Sequence, residues 1–365
     1  MLSPLVFVFS RCGCWFFQSV SLYKTLKPIL NRKRNSLRPQ DPKNEAYLPS
    51  EYRETSDQKD FLLNHIGDLR DIIVFGSDVF FDLLCRSDRI FVDGTFASCP
   101  KQYAQLFTIH VMVNDEMFPT IFALLPDKKQ ITYCSLIQIL MRQAYLSNRQ
   151  FKPKHLHCDF ELSIITSFKA IFTAIEVHGC YFHFSQCLFR KVQSLGLMKM
   201  HDKNSNFKRL FKRCVALPLM PIQEIDQCWF MINLDNENYN DDIVGDFLIY
   251  IEKTWLDESA TFPRKIWNHH ANFNTRTTNH VEGFHNKLNR CFTTNSVSVF
   301  CLINQLKRFE INYRADLCRA ERGESIHQKN NKYVKLNESY IFHTISYQLN
   351  TIDLLDYIDL CTNLM

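Results

Sequence analysis

The feature that most constrains this chain is a set of short apolar runs packed closely together between residues 89 and 125. Arg89–Thr95, Gln105–Val113 and Pro119–Leu125 are each short, and polar stretches such as Asn114-Asp115-Glu116 separate them. Runs of this length are expected as strands, and one that is apolar on both faces, as Gln105–Val113 is, as a buried strand. Three strands joined by short turns form an antiparallel meander. The pattern then changes period. Thr132–Leu146 carries Leu136, Ile139, Leu140 and Ala144 at helical spacing, and His155–Asp159 is a further strand. Glu161–Ala174 is expected as a helix burying Ile164, Ile165, Phe168 and Phe172, Val177–Phe184 as a fifth strand, and Ser185–Leu195 as a helix. This order, β-β-β-α-β-α-β-α, predicts an α/β fold with a mixed sheet and helices on its faces. Ahead of it, Phe61–Asp71 reads as a strand-and-turn lead-in and Asp71–Cys85 as a helix.

Residues 197–278 differ in kind. Helical spacing recurs over Phe207–Val215, Ile222–Ile232 and Ile243–Trp255, interrupted by polar loops, and no strand pattern intervenes. This is expected as an all-helical insertion. Helices follow over Asn279–Phe292 and Val297–Arg314, the second with Val299, Leu302, Ile303, Leu306 and Phe309 on one face. The expected organisation is therefore an apolar, then basic, extension and linker over 1–59, the first part of the core over 60–196, and the insertion over 197–278. The rest of the core spans 279–325, and a tail spans 326–365.

Composition narrows the classes of function. Fourteen cysteines are scattered through the 365 residues without one Cys-x-x-Cys pair, so a disulfide framework and a paired-cysteine zinc module are not expected. We expect reduced thiols in an intracellular protein. No apolar run is long enough to cross a bilayer, so no membrane partner is expected. Met1–Phe17 is apolar like the core of a secretion signal but lacks basic residues before it, and is expected as an extension instead. The net charge of +5 permits a nucleic-acid partner. Residues 24–44 are rich in Lys, Arg and Pro, and Arg32, Lys33 and Arg34 form a patch suited to phosphate contact or nuclear import.

Three carboxylates carry the candidate chemistry. Asp93 and Asp159 each end a predicted strand, where side chains project into a ligand-binding crevice. Two carboxylates on neighbouring strands repel one another, and a divalent cation relieves that repulsion. Hard oxygen ligands favour Mg2+ or Mn2+, and two such ions roughly 3.5–4 Å apart suit phosphodiester cleavage. Glu282 opens a predicted helix with Asn279 as its expected N-cap, and shares a polar face with His285, Asn286 and Asn289. Cys180, His183 and Cys187 could supply three soft zinc ligands, but no fourth stands at suitable spacing. A strand-to-helix corner with a hydrogen-bonded His183 is the favoured reading there.

Taken together these segments resemble the Mutator-like (MULE) transposases. Phe91-Val92-Asp93-Gly94-Thr95-Phe96 is similar to the first-aspartate motif of that family, and His157-Cys158-Asp159-Phe160-Glu161 to the second. Gly179 to Gln186, with Cys180 and His183, resembles the Cys-x-x-His segment, and Arg276 to His285 the glutamate motif, which includes Asn279, Glu282 and His285. The resemblance implies a ribonuclease-H-like fold with a helical insertion before the last catalytic helix. It implies a DDE triad of Asp93, Asp159 and Glu282 holding two Mg2+ or Mn2+ ions. It also implies a homo-oligomer that cuts DNA at transposon ends and joins it to target DNA in the nucleus, with no small-molecule substrate. The FLYWCH- or WRKY-type finger and the C-terminal SWIM finger of many members are not legible here; residues 24–59 resemble the linker that follows a FLYWCH finger. The alternative expectation is a truncated or domesticated relative that binds DNA or protein without catalysis.

Overall fold

The computed structural model describes residues 48–66, 72–234, 242–273, 276–292, 297–326 and 331–364, with Leu26, Pro28, Ile29, Arg32 and Lys33. The chain divides into two units, residues 1–43 and 44–365. In the first, the five described residues are helical, and Arg32 and Lys33 are exposed. Arg34 and the apolar stretch before residue 18 lie outside the described residues.

The second unit is built on a seven-stranded mixed sheet. Its strands are β1 (Leu62–Ile66), β2 (Ile72–Phe75), β3 (Arg89–Thr95), β4 (Gln105–Val113), β5 (Glu116–Leu125), β6 (His155–Cys158) and β7 (Glu176–Gly179), in the spatial order β1-β2-β5-β4-β3-β6-β7. β3, β4 and β5 form the antiparallel meander, and β6 and β7 add to β3 in parallel. Asn114 and Asp115 close the β4–β5 hairpin with positive φ of 49° and 66°, a backbone that Asn and Asp tolerate better than most residues. Glu116 already pairs with Val113 and so belongs to β5 rather than to the turn.

Helices cover both faces. On one lie α2 (Asp78–Arg86), α3 (Gln130–Leu146) and α4 (Leu162–Ile171), burying Phe81, Leu84, Tyr133, Leu140 and Phe168 with Ile90, Val92, Phe107 and Ile109 of the strands. α1 is the short helix Ser50–Arg53. α11 (Asn279–Arg290) and α12 (Val299–Glu321) take the opposite face, where Phe284, Leu288, Leu302, Leu306 and Phe309 meet Ile73, Phe75, Leu106 and Phe122. The mixed α/β layering is compatible with the ribonuclease-H-like fold expected above.

A helical region joins these layers. It contains α5 (Tyr181–Ser194), α6 (Met198–Lys203), α7 (Ser205–Ala216), α8 (Ile225–Leu234), α9 (Asp242–Ile251), continued by a π turn over Glu252–Leu256, and α10 (Arg264–Trp267). Among the described residues of 197–278 there is no strand. Trp255 and Trp267 anchor its core, Trp267 stacking on Phe184 at 5.4 Å.

Five expectations need correction. Ile72–Phe75 is a strand rather than the start of a helix, because four consecutive apolar residues fill both faces of a sheet position between β1 and β5; the helix begins only at Asp78. The fifth strand ends at Gly179, and helix α5 starts at Tyr181, so His183 stands within a helix. Residues 48–59 are not linker: Leu48 and Tyr52 are buried, Tyr52 packs on Phe300 at 4.4 Å, and Arg314 pairs with Asp57 at 2.9 Å. Thr278, not Asn279, occupies the N-cap position of α11, without a side-chain capping hydrogen bond; Asn279 is the exposed first residue of the helix. Residues 331–364 are no tail but helices α13 (Asn331–Gln348) and α14 (Leu354–Cys361) with a closing 3-10 turn. Tyr340, Tyr357, Ile358 and Cys361 are fully buried in the helical region, and buried Arg213 makes a two-pronged pair with Asp359 at 2.6 Å.

Candidate active site

The site begins with strand register. β3 and β6 run parallel with Phe91 beside His157. Two residues further along, on the same side of each strand, come Asp93 and Asp159, the first still inside β3 and the second just past β6. Neighbouring strands stand about 4.8 Å apart, so register alone sets the two carboxyl groups side by side. Asp93 is therefore not at the end of its strand, as expected, but two residues before it. Gly94 completes this corner: its N–H donates to Asp93 Oδ1 at 2.8 Å, and a Cβ there would collide with buried Gln105.

The third carboxylate arrives from across the sheet. Phe284 and Leu288 fix the roll of α11, packing with Phe122 and Phe309. That roll turns Glu282 and His285, one turn apart, toward β3. His285 Nδ1 stands 3.3 Å from Asp93 Oδ2, and its Nε2 is 2.9 Å from the Thr108 hydroxyl. His110 Nε2 approaches the same hydroxyl at 3.0 Å, and that hydroxyl also reaches the Asp93 carbonyl at 3.3 Å. Thr108 and His110 were missed by sequence reasoning. The available signal was two polar residues, Thr108 and His110, in the middle of β4.

The Cys-x-x-His segment has a structural role in this arrangement. Cys180 stands at the N-cap position of α5, and its sulfur accepts a hydrogen bond from the backbone N–H of Thr278 at 3.2 Å. Tyr181 N–H donates to the Arg276 carbonyl at 2.9 Å. Both contacts hold the segment that leads into α11. One turn along α5, His183 Nε2 lies 3.4 Å from Glu282 Oε1. Cys180 and His183 thus contact α11 at its N-cap residue and at the Glu282 side chain. Among the described residues, Cys180, His183 and Cys187 do not gather as a metal-ligand group.

Electrostatics sharpen the picture. Burial, and then the Asp93 charge, push Glu282 up to about 7. Burial again, with Asp93 and then Glu161, pushes Asp159 up to about 7. Glu282 Oε1 is buried and makes no hydrogen bond, with His183 Nε2 beside it at 3.4 Å. Three acidic groups in one desolvated place, one of them with a buried oxygen that makes no hydrogen bond, fit a cation that would neutralise them. Their ligand atoms do not converge as tightly as those of His155, Glu176 and His178, which all lie within 4.8 Å of one another.

A further network supports Asp159 from behind. Glu161 N–H donates to Asp159 Oδ1 at 3.2 Å. Glu161 in turn accepts from Tyr133 at 2.6 Å and pairs with Lys128 at 2.8 Å, while Gln105 donates to Tyr133 at 2.6 Å. On the other side of Asp159, Phe160 lies so close to Gly179 that a Cβ there would come within 2.5 Å of its ring.

Residues 89–187 match the family model of the MULE transposase domain. The matched stretch runs from β3 into α5 and contains Asp93, Gly94, Thr95, Asp159, Cys180 and His183; α11, with Glu282 and His285, follows it. No curated protein matches the chain.

Proposed function

We propose that this chain is the catalytic core of a DDE-type, Mutator-like transposase that cuts and rejoins DNA strands. The reading is supported by the geometry around Asp93: Asp159 stands at the matching place on the adjoining parallel strand, and His285, one turn from Glu282 on α11, lies 3.3 Å from the Asp93 carboxylate. The transposase-domain match over residues 89–187 supports it.

Asp93, Asp159 and Glu282 would hold Mg2+ or Mn2+, two ions in this reading. Bound there, the ions supply charge neutralisation at phosphate and activation of an attacking water or 3′-hydroxyl. The chain's own residues do the rest. Gly94 N–H and His285 orient the Asp93 carboxylate. Glu161 N–H orients Asp159. His183 orients Glu282, and the aromatic packing beneath α11 keeps that helix on the sheet. DNA ends and target DNA are the proposed partners, a homo-oligomer the proposed assembly, and the nucleus the proposed place of action. Arg32, Lys33 and Arg34 are a proposed phosphate-contacting patch.

The test is Mg2+-dependent nicking of DNA carrying the coding region's own genomic flanks. The expected result is cleavage by the wild-type chain, lost in Asp93→Asn, Asp159→Asn and Glu282→Gln. A folded wild-type protein that binds no Mn2+ and nicks none of these substrates would overturn the enzyme reading in favour of a domesticated DNA- or protein-binding relative.

A further inference from the structure

A second cluster of ligand-bearing side chains lies on the same face of the sheet, at the opposite end of β6 and β7. His155 stands in register with Glu176, and His157 with His178. Alternation along each strand brings all four to one face. His155 Nδ1 lies 3.1 Å from Glu176 Oε2 and 3.3 Å from His178 Nε2, and His178 Nε2 lies 3.8 Å from Glu176 Oε2. From these three atoms, together with the stacking around them, we infer that His155, Glu176 and His178 form a zinc site separate from the acidic pocket.

The spacing carries the argument. Zinc bonds of about 2.0–2.1 Å in a tetrahedron place neighbouring ligand atoms about 3.3 Å apart. Two of the three separations lie within about 0.2 Å of that edge, and the third needs only a small rotation of the Glu176 side chain, which is 67% exposed and free to make it. The donor set selects the metal. Two imidazoles and one carboxylate suit Zn2+ and its first-row neighbours, whereas Mg2+ prefers oxygen alone. The site is partly pre-organised. The His178 ring stacks on His157 at 4.7 Å, and His157 stacks on Phe91 at 4.5 Å. That column holds His178 at the strand spacing before any ion arrives.

Three protein ligands leave a fourth position for water, and the exposure of Glu176 opens the site to solvent. The ion would tie the short edge strand β7 to β6, about 13 Å along the strand from Asp159 at 3.3 Å per residue. Arg89, in register with His155 on β3, adds positive charge to this face and limits affinity below that of a four-ligand zinc site.

The experiment is zinc titration of the purified, metal-free full chain against a chromophoric chelator, with Mg2+ in excess to fill the acidic pocket. One equivalent of Zn2+ is expected in the wild-type chain and in Asp93→Asn. Glu176→Ala, a change at a side chain 67% exposed, should weaken it at least tenfold, and His155→Ala with His178→Ala should remove it. Co2+ should give a visible d–d band that the double variant lacks. Circular dichroism identifies a variant that fails to fold, in which case Glu176→Ala decides alone. No bound zinc in the wild-type chain, or equal zinc affinity in wild type and Glu176→Ala, would overturn the inference.

Discussion

At the residue scale the acidic pocket is a balance between like charges and desolvation. Asp159 and Glu282 are each held near 7, first by burial and then by Asp93. The sign for stability follows. A carboxyl group whose folded pKa exceeds its unfolded value near 4 contributes no penalty below that value. The penalty grows as pH rises from about 4 to about 7 and is complete above it. These two carboxyl groups should therefore cost the metal-free protein stability across pH 4–7, against the gain from buried histidines such as His157 and His269, which burial holds below their usual range. Asp159→Asn should remove its share of that cost: its melting temperature should exceed the wild type's most at pH 8, less at pH 5, and match it below pH 4. Mg2+ should raise the wild-type melting temperature at pH 8 and raise that of the variant less. A pH profile of the variant parallel to wild type would show that Asp159 is not strained in this way. Gly179→Ala tests the neighbouring close approach: it should displace Phe160 and lower nicking activity.

At the scale of elements, placement of Glu282 depends on how α11 is held. Phe284 buries its ring among Phe122, Phe309 and Tyr313. Phe284→Ala should cost about 3–5 kcal/mol, measured by chemical denaturation. The N-terminal grip is subtler. Cys180→Ala removes the acceptor of a buried backbone N–H, a loss of roughly 1–3 kcal/mol for such a group. Because that N–H belongs to the cap of α11, the variant should also need more Mg2+ for half-maximal nicking. Cys180→Ser keeps an acceptor and should recover most of the Mg2+ dependence. If Cys180→Ala nicks DNA with wild-type Mg2+ dependence, the Cys-x-x-His segment does not position the glutamate.

At the scale of the whole molecule the C-terminal helices are part of the second unit's core. Tyr340 hydroxyl donates to the His269 carbonyl at 3.2 Å, and Tyr357 stacks on Tyr347 at 4.8 Å. Arg213, almost fully buried, makes its two-pronged pair with Asp359. Asp359→Ala should lower the melting temperature, since the buried Arg213 guanidinium loses its two-pronged partner at the surface. A chain ending at residue 326 should fold poorly and aggregate, because it uncovers the apolar surface these helices bury. Full stability of that truncation would return residues 331–364 to the status of a tail.

What the amino-acid order determined by itself is the local part of this protein. Apolar runs of strand length, the Asn-Asp turn and the amphipathic stripe of α11 follow from neighbours within a few residues, and so the meander and the alternation after it were legible. So were Asp93, Asp159 and Glu282 as candidates, because each stands in a short motif. Contacts between distant segments were not legible. Ile72–Phe75 took the strand form because a sheet edge was there to pair with, which four apolar residues cannot announce alone. Residues 331–364 have a weak pattern, since a helix that buries only a few aromatics needs no continuous stripe. The meeting of His285 with Asp93, of Cys180 with Thr278, and of His155 with Glu176 and His178 was decided by register and helix packing. Side chains separated by tens to hundreds of residues become neighbours only when the sheet closes, and their chemistry exists only then.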